Sequence, residues 1–252
     1  MDGGRPIMRY WGKAKPKMSS GPQWHPLVYH CLDVAACGRK LLEADMERRR
    51  RLARLTNLDE EALLAWLGFL LAIHDVGKFS DGFQNLRPDL LQALQGRGTK
   101  VLYDERHDTL GWLFAQDNLP AVFANDDAED LRDLLAPWLS AVTGHHGWPP
   151  RNPNQKALLL KRHFPVPVHQ DAIRFIAELS RIFLPEALPF STRDYNKLRP
   201  LFIRASWPVA GLAVAADWLG SNQRWFPYWD GSPLSCERYW HDVALARANT
   251  AL

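Results

Sequence analysis

The sequence predicts an all-α fold in a single domain, and three observations carry that expectation. Apolar residues recur at helical spacing along most of the chain, and no stretch alternates apolar and polar residues for long enough to need a sheet. Proline clusters at Pro149-Pro150-Pro153, Pro165-Pro167, and Pro185 with Pro189 punctuate the helical segments. A length of 252 residues fits one large domain or two small ones and is ample for a sizeable core.

In chain order, residues 1–24 form a polar, Gly/Pro/Lys-rich leader without the apolar core of a signal peptide. Leu27, Cys31, Val34, Leu41 and Leu42 mark a first helix within HPLVYHCLDVAACGRKLLE. Asp59-Glu60-Glu61 supplies the acidic first turn of a helix that runs to about Ile73, with Gly77 placed as a C-terminal cap. That helix is apolar all round, but the run Leu63–Ile73 is too short to span a bilayer. Residues 87–100 read as an exposed loop with a short helix. Further helices are expected at 107–117, 128–144, 155–163, 169–183, 207–220 and about 234–252, with 184–206 an irregular connection.

Composition narrows the class. Charged residues are about a quarter of the chain and the apolar fraction is ordinary, as in a folded soluble protein. A net charge of +3 is too small by itself to mark nucleic-acid binding. Three cysteines without a CxxC pair argue against a disulfide framework and against a structural zinc, and fit the cytoplasm. No Walker loop occurs, so nothing points to a nucleotide-driven motor within the chain. Eleven tryptophans are more than usual, and those left exposed could stack on bases.

The chemistry gathers where apolar segments end. LLAWLGFLLAI runs straight into His74-Asp75, two side chains that are costly to bury without partners. A capping bond or Lys78 would serve, and so would a cation. Asp217 lies in WPVAGLAVAADWLGS with only small or apolar residues a turn away, so no basic residue on its own helix can pair with it. His145-His146 follow PWLSAVTG and stand between Gly144 and Gly147. Adjacent residues on a helix differ by about 100°, so the two rings can share an ion only at such an end. His30 shares an inward face with Val34, Cys37 and Leu41, and His107 opens its own helix. Each is separately compatible with a structural histidine. Five histidines and two aspartates together suffice for two adjacent cations, and mixed imidazole and carboxylate sets favour Mn, Fe, Co or Ni over Mg or Ca. His25, His163, His169 and His241 lack comparable apolar context and read as surface or local hydrogen-bonding residues.

The order H…HD…H…HH…D resembles the HD phosphohydrolase superfamily in its binuclear form. HPLVYHCLDVAA, AIHDVGKFSDGFQ, RHDTLGW, AVTGHHGWP and AADWLGS are similar to the successive motifs of the HD nuclease domain of the type I CRISPR nuclease-helicase. The leading YWGK at Tyr10–Lys13 is similar to subtype I-E members. The likeness spans roughly residues 10–221.

The resemblance implies an HD-domain helical bundle and a metal-dependent nuclease acting on single-stranded DNA in antiviral defence. It implies one metal held by His30, His74, Asp75 and Asp217, and a second held by His107, His145 and His146 with Asp75 bridging. Mn, Ni, Co or Fe are the expected ions, with Mg allowed. It places Lys78 beside the metals and Ser221 near the substrate path. Its implied partners are a superfamily 2 helicase in cis or trans, a crRNA-guided surveillance complex (Cascade) and a phage-encoded inhibitor, with no membrane. Scattered positives at Lys13, Lys15, Lys17, Arg48–Arg51, Lys156, Lys161 and Arg162 offer backbone contacts, although a solvated face is the simpler reading of the arginine run. The competing functions are an HD-type nucleotide or cyclic-dinucleotide phosphohydrolase and a catalytically idle HD interaction module.

Overall fold

The structure, a computed structural model, describes residues 6–16, 20–123, 127–184 and 188–252. Its centre is α1 (Leu27–Ala44), in which every residue from Leu27 to Gly38 is buried. The side chain of Asp45 accepts the Arg48 N–H and starts α2 (Met46–Thr56), and Asn57 ends it in the left-handed region. Within α2, Arg49 and Arg50 pair with Glu60, so part of the arginine run is a paired surface face.

Asp59 caps α3 (Glu60–Ala72) by accepting the Ala62 N–H at 2.7 Å. By length and hydropathy, the segment Glu60–Phe79 could cross a membrane, yet 89% of its apolar stretch is buried inside the fold. Then come a 3-10 turn (Val76–Phe79), α4 (Asp81–Gln84), α5 (Pro88–Gln95), α6 (His107–Val122), α7 (Ala128–Thr143), α8 (Lys156–His163) and α9 (Val166–Phe183). The chain continues through α10 (Tyr195–Gly220), α11 (Cys236–Tyr239), a π turn (Trp240–Ala244) and α12 (Leu245–Ala251).

The core follows from which apolar faces meet. α1 packs on α3 and α10, α10 on α7, and α7 on α6. Trp66 and Trp138 are fully buried between them, and the Trp138 indole donates to the Phe202 carbonyl at 2.8 Å. Cys31, Cys37 and Cys236 are all buried and none forms a disulfide.

The structure departs from the sequence expectations in several places, the unexpected helix α2 among them. Residues 1–24 are not simply a polar leader: Trp11–Ala14 (β1) pairs antiparallel with Trp24–Pro26 (β2), and Ile7, Tyr10 and Trp11 are buried. The Tyr10 hydroxyl donates to Asp171 at 3.0 Å. A ladder of three partnered positions is too short to show an alternating period. Gly77 is not a helix cap, because α3 ends at Ala72 and Gly77 lies inside the following 3-10 turn. Finally, α10 begins at Tyr195, so residues 195–206 are helix and not irregular connection. Pro200 and Pro208 lie within it, each costing a helix about 3 kcal/mol. Burial of Leu198, Phe202, Ala205, Val209 and Leu212 offsets that cost. Lys17 and Pro185 lie outside the described residues.

Candidate metal centre

The ends of four helices, α3, α6, α7 and α10, converge on one buried point. His74 and Asp75 occupy the turn after α3, and the 3-10 turn behind them rests on the start of α6. A Cβ at Gly77 would run into the His107 carbonyl oxygen and lie 2.6 Å from the Gly111 nitrogen, so glycine permits the contact that brings His107 to Asp75. A Cβ at Gly220 would lie 3.0 Å from the backbone of Val34. That close approach seats α10 on α1 and Asp217 beside His30. His145 and His146 follow α7, beyond Thr143 and Gly144.

The seven side chains expected from the sequence meet here, arranged around Asp75, which is fully buried. Its Oδ2 lies 3.1 Å from His30 Nε2 and 3.3 Å from His74 Nε2. Its Oδ1 lies 3.5 Å from His107 Nε2 and 3.7 Å from His145 Nε2. Asp217 Oδ1 is 3.5 Å from His30 Nε2 and 3.8 Å from His74 Nε2. His107 Nε2 and His146 Nε2 are 3.0 Å apart. Thus one oxygen of Asp75 faces His30 and His74, and the other faces His107 and His145.

The tautomers follow from what the far sides of the rings touch. His74 Nδ1 donates to the Leu71 carbonyl at 2.7 Å, and His145 Nδ1 donates to the Val142 carbonyl at 3.0 Å. Both rings therefore aim Nε2 at the centre, as metal-binding histidines do when a backbone carbonyl holds the opposite nitrogen. Tyr103 does the same for His107: its hydroxyl lies 2.7 Å from His107 Nδ1 and accepts the His107 backbone N–H at 3.1 Å.

These residues fit a bound cation. His74 Nε2 and Asp75 Oδ1 are buried without a hydrogen-bond partner of good geometry. Leaving them so costs about 1–3 kcal/mol each. Nitrogen and oxygen ligands that share one ion at about 2.0–2.1 Å lie about 3.0–3.4 Å apart. The distances around Asp75 and between His107 and His146 are close to that range. Among the described residues three groups are tight enough to hold an ion: His30 with His74 and Asp75; His107 with His145 and His146; and His74 with His145 and Asp217.

The electrostatics favour the same reading. Burial opposes the Asp75 charge, but Lys78 and His74 outweigh it and hold the carboxyl well below the usual range. Burial likewise opposes the Asp217 charge, and His74, His30 and Lys13 bring it far down. Burial lowers His30 and His107, and takes His145 down to about 3, keeping these imidazoles neutral with lone pairs available. His74 is the exception. Burial pushes it down, but Asp75 and Asp217 raise it to about 9, so without a metal it carries the balancing proton.

Lys78 is 4% exposed and lies 2.6 Å from Asp75 Oδ2, and Ser221 donates its hydroxyl to Asp217 Oδ1 at 3.0 Å. Three contributors escaped the sequence reading. Lys13, counted there as a scattered positive, reaches from β1 to within 3.8 Å of Asp217 Oδ1. Tyr103 orients His107. Gln84 donates to the Lys78 and Trp11 carbonyls and ties the turn to the strand. A WGK strand, a YxxxH spacing or a lone glutamine is too common to single these out. His25 and His163 are buried and not at the surface, and each bonds a carboxylate away from the centre, Asp33 and Asp104 at 3.1 Å, with His163 Nδ1 left without a partner.

Comparison with known proteins places this geometry. The CRISPR-associated endonuclease/helicase Cas3 of Escherichia coli is 30% identical over 239 aligned residues, covering 85% of this chain and 26% of that protein. The protein of the same name from Thermus thermophilus is 32% identical over 221 residues, covering 83% of this chain and 22% of its own length. The chain thus spans about a quarter of the length of these curated relatives. The crystal structure of the Thermus thermophilus Cas3 HD domain in the presence of Ni2+ is 25% identical with a TM-score of 0.66, covering 98% of this chain and 90% of that one. The family model for the Cas3 HD domain matches residues 11–226, and the chain belongs to that family.

Proposed function

We propose that the chain is a metal-dependent nuclease that hydrolyses phosphodiester bonds of single-stranded DNA in CRISPR interference. The observation that carries this reading is the division of Asp75 between two sets of imidazoles, at distances suited to shared ions. His30, His74, Asp75 and Asp217 would hold one divalent transition-metal ion, and His107, His145 and His146 a second, with Asp75 common to both. Bound ions would supply an activated water and stabilise charge on the scissile phosphate.

The chain's own residues prepare that chemistry. The Leu71 and Val142 carbonyls and Tyr103 fix the rings, so little reorganisation remains at the moment of reaction. Lys78 and Lys13 put positive charge on either side of the carboxylates, where a phosphate oxygen or leaving group can be met. Ser221 steadies Asp217 by donating its hydroxyl to Oδ1.

A polymer is favoured over a nucleotide because His146 is exposed, leaving the centre open on that side. The name endonuclease/helicase and the greater length of the relatives support action with a superfamily 2 helicase. Their CRISPR association supports a crRNA-guided complex as partner, in the reducing cytoplasm that buried cysteines without disulfides suit. The test is turnover of circular single-stranded DNA, dNTPs and cyclic dinucleotides in Mn2+ or Ni2+. Cleavage of the circle, abolished by His74→Ala or Asp75→Ala in folded protein, is expected. Hydrolysis of the small substrates alone would make the chain a nucleotide phosphohydrolase. No metal uptake and no turnover would make it an interaction module. Full activity in Asp75→Ala overturns the site assignment.

A further inference from the structure

A groove of about 260 Å³ lies between α7 and α10, flanked by Trp148 and Trp207, which are 74% and 83% exposed. So much exposed indole is costly in water and calls for an occupant. Each wall of the groove runs into the metal centre. On α7 the wall is Pro137, Ser140, Ala141 and Gly144, spaced by a helical turn, and the next residues are His145 and His146. On α10 it is Trp207, Ala210 and Val214, and the next position on that face is Asp217. His145 and Asp217 come within ligand-sharing distance of one another, with His74. Both walls of the groove therefore end beside residues of the site.

Two further features describe what would lie along it. Trp218, 74% exposed, is eleven residues after Trp207 and returns to the same side of α10 about 16 Å further along. Flat indoles thus recur from the far end of the groove to the position beside Asp217. The exposed flank of α10 also carries no carboxylate between Asp194 and Asp217, and Arg199 and Arg204 supply positive charge there, Lys197 being paired with Asp194. Aromatic faces interleaved with cations bind single strands, because every base has a π face and every nucleotide a phosphate.

We infer that the groove between α7 and α10 is the single-strand lane of this domain, with bases stacking on Trp148 and Trp207 as the backbone passes toward Asp217 and His146. The inference rests on the proposed nuclease function, and it assigns these tryptophans as substrate-positioning residues. A nucleic acid is favoured over a protein because the lane leads toward the proposed site of phosphodiester chemistry and the exposed flank of α10 beside it is cationic.

The test is equilibrium binding of a fluorescent twelve-nucleotide oligothymidine to the whole chain in EDTA, where no metal-dependent cleavage can occur. Trp148→Ala and Trp207→Ala are each expected to weaken binding about fivefold or more. Trp148→Phe and Trp207→Phe, which keep a flat ring, are expected to stay within about threefold of the unaltered chain. Unchanged affinity in a folded Trp148→Ala/Trp207→Ala double variant overturns the inference and leaves the apolar face to a protein partner. Equal loss in the Phe and Ala variants at unchanged melting temperature overturns the stacking. Hydrolysis of bis(p-nitrophenyl) phosphate by the unaltered chain in Mn2+ reports the metal centre separately. Its absence would count against the nuclease reading without touching the binding result.

Discussion

Replacing Asp75 by Asn keeps the shape of the side chain and removes one buried charge. In the unaltered protein that charge lies 2.6 Å from Lys78, which is itself 4% exposed. The lowered Asp75 pKa shows that, against burial, Lys78, His74 and His30 together stabilise the carboxylate. Its loss should therefore destabilise the metal-free fold. Breaking a buried pair by removing one partner costs about 3–5 kcal/mol. For a chain of this size that corresponds to a fall of roughly 6–20 °C in melting temperature. Asp75→Asn/Lys78→Met also removes the stranded ammonium and should recover at least half of the loss. Calorimetry in EDTA measures both variants, and a second scan in Mn2+ should raise the melting point of the unaltered chain alone. An Asp75→Asn protein that melts in EDTA at or above the unaltered chain would refute the reasoning.

Further outcomes follow from the rings around Asp75. Burial holds His145 near 3 and lowers His30 and His107, whereas unfolded histidine titrates near 6.5. Below 6.5 the unfolded chain binds more protons, so the metal-free melting temperature should fall from pH 6.5 toward 5. His74, held up at about 9, has the opposite sign: its contribution is complete below about 6.5 and is lost as pH rises through 9. A melting temperature that is flat from pH 9 to 5 in EDTA would contradict both. Metal uptake at pH 7.5 should release about one proton per chain from His74, read by calorimetry in buffers of different ionisation enthalpy. Tyr103→Phe removes the hydroxyl that holds His107 Nδ1 and should weaken metal binding about 10–100-fold in a chelator competition, with the fold retained.

The clustered residues were legible because most lie within or at the end of an apolar segment, where a buried carboxylate or imidazole needs a partner. His74-Asp75 after LLAWLGFLLAI and Asp217 within AVAADWLG show this most plainly, and both lie buried in the structure. What stayed hidden depends on contacts between distant parts of the chain. β1 is held by three partnered positions and by Gln84, so Lys13 looked like one more surface positive until the strand placed it beside Asp217. Gly77 is a glycine because α6 lies against it, which local sequence does not record. Residues 195–206 read as irregular connection, since the packing that carries α10 through Pro200 comes from α7 and α1.

The most direct test of the two-metal account is the number of ions held per chain after loading with Mn2+ or Ni2+ and dialysis, measured by elemental analysis. Two ions in the unaltered chain and none in folded Asp75→Ala are expected, because both sets of imidazoles depend on that carboxylate. One ion per chain, retained undiminished by Asp75→Ala, would contradict it.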